Sequence, residues 1–421
     1  MGAAHEQPMT MRLLLCCAVV AGDAKRRRLE GRRRRRECLA AAPQVPARRV
    51  VAADLVREAR EALRLPYHDP SRYFSVEQDP ARGGAVDVYA LAGSWPHSNK
   101  RDTTTRRRCA DAGLGATCGA AAVVLRAPFA SMNLALLRDA HGALAGALGG
   151  KLAGLRTTPA LRSPLAATRR FDAAFRPAGD GFGGAFARDK CVERRAGFDA
   201  CEFDGRFSAA ALRGRTLVYA RANTRAGGGG RAVQVVAAAG APPPPGAAWG
   251  PFRRVRFLAG AEAWQRAVAA DVGADVYTFA AKPNPVDPGG SLAALFPVAV
   301  APPPDALNRT ARYLATEAYV ALAFSCDGVR FSAPVALLRA TPASDRGEVN
   351  DHPVDGFATL ADGRPAFYVH EGVPGTFKEL CAYRADKSAG VASRLVRYAL
   401  DRAALEAATR DAKRALACAA S

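Results

Sequence analysis

The run Cys201-Glu-Phe-Asp204-Gly-Arg-Phe-Ser-Ala-Ala-Ala-Leu-Arg213-Gly-Arg-Thr-Leu-Val-Tyr-Ala-Arg221-Ala-Asn223, closed by a glycine run that ends at Arg231, decides the fold. Two carboxylates, Glu202 and Asp204, head a strand-like segment. Arg213-Gly214-Arg215 reverses the chain, and the returning strand delivers Arg221 and Asn223. Two β-prone runs joined by a tight turn read as a hairpin, here with its polar residues gathered at one end.

The same device recurs. Asn133 heads Leu134 to Leu137, with a turn from Asp139 to Gly142; Asp275 heads a run to Ala280, with a turn from Pro283 to Gly290 and a return from Ser291 to Pro297. Asp355 heads the last copy, which turns at Ala361 to Arg364 and returns to His370. The four heads Asn133, Glu202, Asp275 and Asp355 stand 69, 73 and 80 residues apart. A period that long leaves room for a second strand pair in each unit, as in a four-stranded propeller blade. Gln234 to Phe257 and Ala321 to Val335 supply such outer pairs, the second turning through Ser325-Cys-Asp327-Gly328. With the β-type runs between Tyr67 and Leu91, the pattern predicts an all-β fold: a five-bladed β-propeller of antiparallel blades over residues 66–392. A β-sandwich, or two stacked β-domains, is the competing architecture, since short strands and turns are common to all three.

The flanks read differently. Met11-Arg12 followed by an apolar run to Ala21 has the layout of a secretory signal peptide over residues 1–24, with Met11 as an alternative start, and is too short to span a bilayer. Residues 25–50 are Arg-rich and expected to be disordered. Leu55, Ala59 and Leu63 have helical spacing, which predicts a short helix over 51–65. Leu395, Leu400, Leu405 and Leu416 predict a helical tail over 393–421.

The net charge of +21 suggests an anionic partner, but the positive residues are mostly Arg amid abundant Ala, Gly and Pro, as a GC-rich coding bias would spread them. The dense run Lys25 to Arg36 has no interleaved aromatics, so no specific nucleic-acid binding is expected. Cys16 and Cys17 would leave with the signal, and an even set of eight cysteines suits disulfides in an oxidising compartment. Cys109 with Cys118 and Cys191 with Cys201 each enclose a short polar loop and are the expected bridges. Asn308-Arg-Thr310 is a glycosylation sequon. No cysteine or histidine cluster has zinc spacing, and Gly227 to Gly230 lacks the Lys-Ser/Thr of a phosphate loop, so neither metal nor cofactor is expected. Nothing calls for an oligomer, and a monomer is expected.

Polar-headed blade hairpins, the Glu202-Phe-Asp204-Gly-Arg-x-Ser208 entrance, the Tyr219-Ala-Arg-Ala-Asn223 return and the Ser-x-Asp-Gly turn resemble the five-bladed propeller glycosidases that include invertases, levansucrases and arabinanases. They are closer still to secreted propeller proteins of algae and large viruses. The resemblance implies a glycan in a central funnel lined by inner strands, and carboxylates from successive blades: a nucleophile or base, an orienting Asp and a Glu acid. Hydrolysis needs one carboxyl kept protonated for the leaving group and another kept ionised. Glu202 matches the acid, Asp204 is a neighbour able to raise its pKa, and Asp69 is the best first-blade candidate, ahead of Asp79 and Asp87. The second-blade head is Asn133 rather than Asp, a departure that leaves a non-catalytic lectin-like or protein-interaction propeller as the alternative.

Asp275, Asp351, His352 and Asp355 are expected to bind substrate at the blade entrances, with Arg221 and His370 at the strand returns. If Arg221, Lys282 and His370 point inward, the funnel suits carboxylated or sulfated sugars; if outward, they are ordinary strand-end charges. Trp95, Trp249 and Trp264 are candidate sugar-stacking rings, Trp249 reading better as core.

Overall fold

In a computed structural model, the described residues are 49–65, 71–79, 83–92, 103–126, 134–138, 144–149, 169–171, 198–199, 206–224, 231–244, 246–300, 317–340, 351–371 and 394–418. In chain order, β1 (Arg49–Val50) and β2 (Val56–Arg64) precede β3 (Ser71–Asp79), β4 (Ala85–Ala92), β5 (Thr103–Cys109) and β6 (Ala122–Arg126). Then come β7 (Ala135–Arg138), β8 (Leu144–Gly149), β9 (Arg169–Phe171) and β10 (Phe198–Asp199). The third group is β11 (Ser208–Leu212), β12 (Arg215–Thr224), β13 (Arg231–Ala239), β14 (Arg253–Arg254) and β15 (Arg256–Phe257), followed by helix α1 (Ala263–Ala270). β16 (Ala274–Val276), β17 (Ala280–Asn284), β18 (Asp287–Val300), β19 (Glu317–Ser325), β20 (Arg330–Phe331) and β21 (Val335–Arg339) form the fourth. Last are β22 (Asp351–Thr359), β23 (Pro365–Glu371), β24 (Arg394–Leu400) and α2 (Arg402–Ala415).

Pairing sorts these strands into five blades. They are β3-β4-β5-β6, the described part β7-β8-β9, β11-β12-β13-β14, β17-β18-β19-β21, and β22-β23-β24-β2. The first strands of the blades, β3, β7, β11, β17 and β22, form a closed ring in which each touches the next. The protein is a five-bladed β-propeller, as the spacing of polar heads predicts.

The core explains why the blades stack. Successive side chains on a strand point to opposite faces, and here both faces are covered by a neighbouring blade. On β12, Leu217 and Tyr219 pack toward the fourth blade while Val218 and Ala220 pack toward the second. Each of the five gaps between blades holds its own apolar cluster. Trp249 belongs to the second–third gap, and Trp264 lies buried against Tyr319 with ring centroids 4.8 Å apart. Both are core rings rather than sugar platforms; Trp95 lies outside the described residues.

Two flanking expectations need correction. Residues 51–65 do not form a helix: Val56–Arg64 is a strand that pairs antiparallel with β24. Its alternation of acid and base suits either state, and tertiary pairing overrides propensity. Glu58 is bound by Arg60 on its own strand, by Arg364 on the β22–β23 turn and by Arg397 on β24, which fastens the edge strand. The tail is helical only from Arg402, because Arg394–Leu400 is the third strand of the last blade. That blade therefore joins both ends of the described chain and closes the ring. Helix α2 fills the fourth–fifth gap with Leu405 and Ala412, and Asp401 caps it by accepting from the Ala404 amide at 2.8 Å.

Candidate functional site at the propeller axis

The inner strands bring one group from each blade to a single point. Lys282, on β17, donates from Nζ to the carbonyls of Leu136 on β7 (3.0 Å) and Ala209 on β11 (3.2 Å). The same ammonium pairs with Asp355 Oδ2 on β22 (3.2 Å) and Glu77 Oε1 on β3 (3.5 Å). A buried ammonium is tolerated only when charge and all three protons are met, and here four blades meet what the fifth presents. Lys282 and Glu77 are 8% and 7% exposed, and Asp355 is fully buried.

Asp355 is brought there by a seam between the first and last blades. Asp355 pairs with Ser75 in the one bridge between β22 and β3, which run parallel. Gly356 makes the approach possible: its φ is +130°, and a Cβ there would lie 2.0 Å from the Val76 carbonyl oxygen. Above Lys282, Ser208 Oγ donates to Asp355 Oδ1 at 2.7 Å and accepts from the Ala281 amide at 3.1 Å. Arg206, ahead of β11, donates from Nη2 to the Phe74 carbonyl and to Ser75 Oγ (2.8 Å). Burial pulls its guanidinium pKa down, while Asp355 and Tyr73 oppose that shift.

Toward the strand beginnings, charge gives way to rings. His352, on β22, stacks on Tyr73 of β3 (6.3 Å, 20°) and lies 5.0 Å from the Tyr277 ring, just before β17. The two tyrosine hydroxyls are 3.1 Å apart. Tyr73 has φ +51°, uncommon for a bulky residue, and sits where the β3–β4 register slips between Arg72 and Ser75. A bulge of this kind re-aims a side chain, here toward the rings of two other blades. On the other side of Tyr277, the Arg231 guanidinium lies 4.5 Å from its centroid. Asp275 holds that guanidinium bidentately, at 2.6 Å to Nη2 and 2.9 Å to Nε.

Several sequence-predicted residues change role. Asp355 is not at a blade entrance but four residues inside β22, at the axis. Asp275 lies on β16, outside the inner strand, and its carboxylate is engaged by Arg231. Arg221 is on β12, the return strand of its hairpin, as expected, and its backbone carbonyl accepts from Gln234. Lys282 is not a strand-end charge at the funnel rim but the axial cation. His352 does lie at the inner-strand beginnings, and His370 pairs with it across β22–β23 while meeting the Phe74 ring edge-on at 4.9 Å. Asp351, beside His352, is buried. Asp69, Asn133, Glu202, Asp204, Cys191, Cys201 and Asn308 lie outside the described residues.

Sequence reasoning passed over Arg206, Ser75, Ser208, Tyr73 and Tyr277. The signal available was polar residues interrupting inner-strand apolar runs, as in Phe74-Ser-Val-Glu77 and Ala280-Ala-Lys282. The Cys109–Cys118 disulfide forms as expected, and a second joins Cys326 to Cys418.

No protein-family model and no curated protein matches the sequence. Solved structures do resemble it. A family 117 glycoside hydrolase of Zobellia galactanivorans matches at 11% identity and a TM-score of 0.42 over 82% of this chain and 90% of its own. The GH62 α-L-arabinofuranosidase catalytic domain of Coprinopsis cinerea matches at 10% and 0.40 over 83% and 98%. The α-L-arabinanase of Penicillium chrysogenum matches at 10% and 0.38 over 85% and 99%. At this distance no residue role transfers from them to this chain.

Proposed function

We propose that the protein is a carbohydrate-active propeller of the secretory pathway, binding a glycan at the ring of inner-strand beginnings and cleaving or transferring a glycosyl unit with Glu202 as acid. The observation that carries the binding is the three-ring group Tyr73–His352–Tyr277, contributed by three blades around one axis. Flat aromatic faces with a polar edge suit the apolar face and hydroxyl rim of a sugar ring. Glu202 stands four residues ahead of Arg206, a reach of at most about 14 Å even if extended. Asp204 and Asp69 are its candidate carboxylate partners, with Asn133 orienting a sugar hydroxyl. Two disulfides suit an oxidising compartment.

A non-catalytic, lectin-like role is the second reading, and one observation favours it. The axial carboxylates Glu77 and Asp355 are both engaged by Lys282, so neither is available as a base there. Assaying the purified protein and Glu202→Gln against a glycan panel, for both binding and turnover, separates the two. The enzyme predicts turnover by wild type and at least a hundredfold loss in the variant. Equal binding without turnover in both leaves only the lectin.

A further inference from the structure

Arg206 is an unusual buried cation. It is 4% exposed, yet among the described residues no carboxylate lies within ion-pair distance, and its Nε has no hydrogen-bond partner. Buried guanidinium groups are normally paired, because removal from water penalises the charge. The cluster beneath it accounts for the anomaly. Lys282 and Arg206 bring two positive charges, and Glu77 and Asp355 bring two negative ones, so these four side chains balance in charge. The cation at the rings, Arg231, is committed to Asp275. Among the described residues, what the axial group has to spare is therefore hydrogen-bonding capacity, the Arg206 Nε donor and the Asp355 Oδ2 acceptor, and not a charge.

Resting on the carbohydrate reading above, we propose that the site selects a neutral sugar, with Arg206 Nε donating to a hydroxyl or ring oxygen, and discriminates against carboxylated and sulfated sugars. An acceptor without charge satisfies the orphaned donor at no electrostatic cost. A carboxylate would add an anion beside Glu77 and Asp355, whose charge Lys282 and Arg206 already balance, and beside any further carboxylate the carbohydrate reading places there, in surroundings where charge is weakly screened. This reverses the preference expected had Lys282 been a free funnel charge.

The test uses the full chain and matched disaccharides that differ only at C6: galactose with galacturonate, glucose with glucuronate, mannose with mannuronate. Affinities are measured by calorimetry at low and high salt. The expected result is at least a tenfold preference for the neutral member of whichever pair binds, unchanged by salt. A preference for the acidic member, weakening with salt, overturns this inference while leaving carbohydrate binding intact. No binding of any pair overturns the carbohydrate reading itself. Arg206→Lys keeps the charge and removes Nε; folded, it is expected to bind the neutral sugar about tenfold more weakly, and unchanged affinity contradicts the role given to Nε. If that variant does not fold, the wild-type preference decides alone.

Discussion

The axis and the ring group above it are a few residues apart on the same strands and are built on opposite terms. At the axis, the Lys282 ammonium is ion-paired with Glu77 and Asp355, and Asp355 accepts a bond from Ser208 through Oδ1. Above it, Tyr73, His352 and Tyr277 meet through ring faces, with one tyrosine held at an uncommon backbone angle. The polar group at the axis ties five blades together, while the rings meet one another with Tyr73 and Tyr277 only partly buried. Damage to the first should show in stability and damage to the second in binding.

The largest effect is expected from Lys282→Met. It keeps the length of the side chain and strands two buried carboxylates, which costs about 3–5 kcal/mol. Urea unfolding measures it, and a loss under 1 kcal/mol would mean the ammonium does not join the blades. Gly356→Ala comes next, at roughly 2–3 kcal/mol, since a β-carbon must displace the Val76 carbonyl at a backbone angle that side chains disfavour. A melting temperature within a degree of wild type would deny the close seam. Tyr277→Ala is expected to cost only about 1 kcal/mol of stability, because the ring is half-buried, yet to weaken sugar binding about tenfold.

These two regions were not equally legible in the sequence. The hairpin from Ser208 to Thr224 was, because Arg213 and Gly214 both take positive φ in its turn and flank alternating residues that pack on two faces. The repeat was legible for the same reason, since polar heads and turns are local signals. Strand β2 was not: Val-Arg-Glu-Ala-Arg-Glu-Ala-Leu-Arg is a helix by pattern, and its partner β24 comes more than 300 residues later. Nor was the depth of Asp355. Spacing along a chain places a carboxylate in a strand, but the bulge near Gly356 decides which level of the axis it reaches. Lys282 was seen as a charge, and only the ring of strands shows that four other blades meet it.

The smallest expected effect is a control remote from both regions. Arg364, then Arg60 and Arg397, hold the Glu58 carboxyl below its ordinary pKa of 4.5, more than offsetting desolvation. A depressed folded-state pKa contributes stability that is complete above the unfolded value and lost as pH falls through the folded one. Glu58→Gln should therefore be slightly less stable than wild type at neutral pH, with the gap closing below about pH 4.5. Acid unfolding curves check this, and a difference that shows no narrowing as the pH falls below about 4.5 would mean that the ion pairs do not fasten the closing strand.

The most direct test of the division between axis and rings is one calorimetric titration of a binding oligosaccharide into wild type and Tyr277→Ala, with both proteins shown folded by their melting curves. The expected result is saturable one-to-one binding by wild type and an affinity about tenfold lower in the variant. Equal affinities in the two proteins would contradict a ligand site built on Tyr73, His352 and Tyr277.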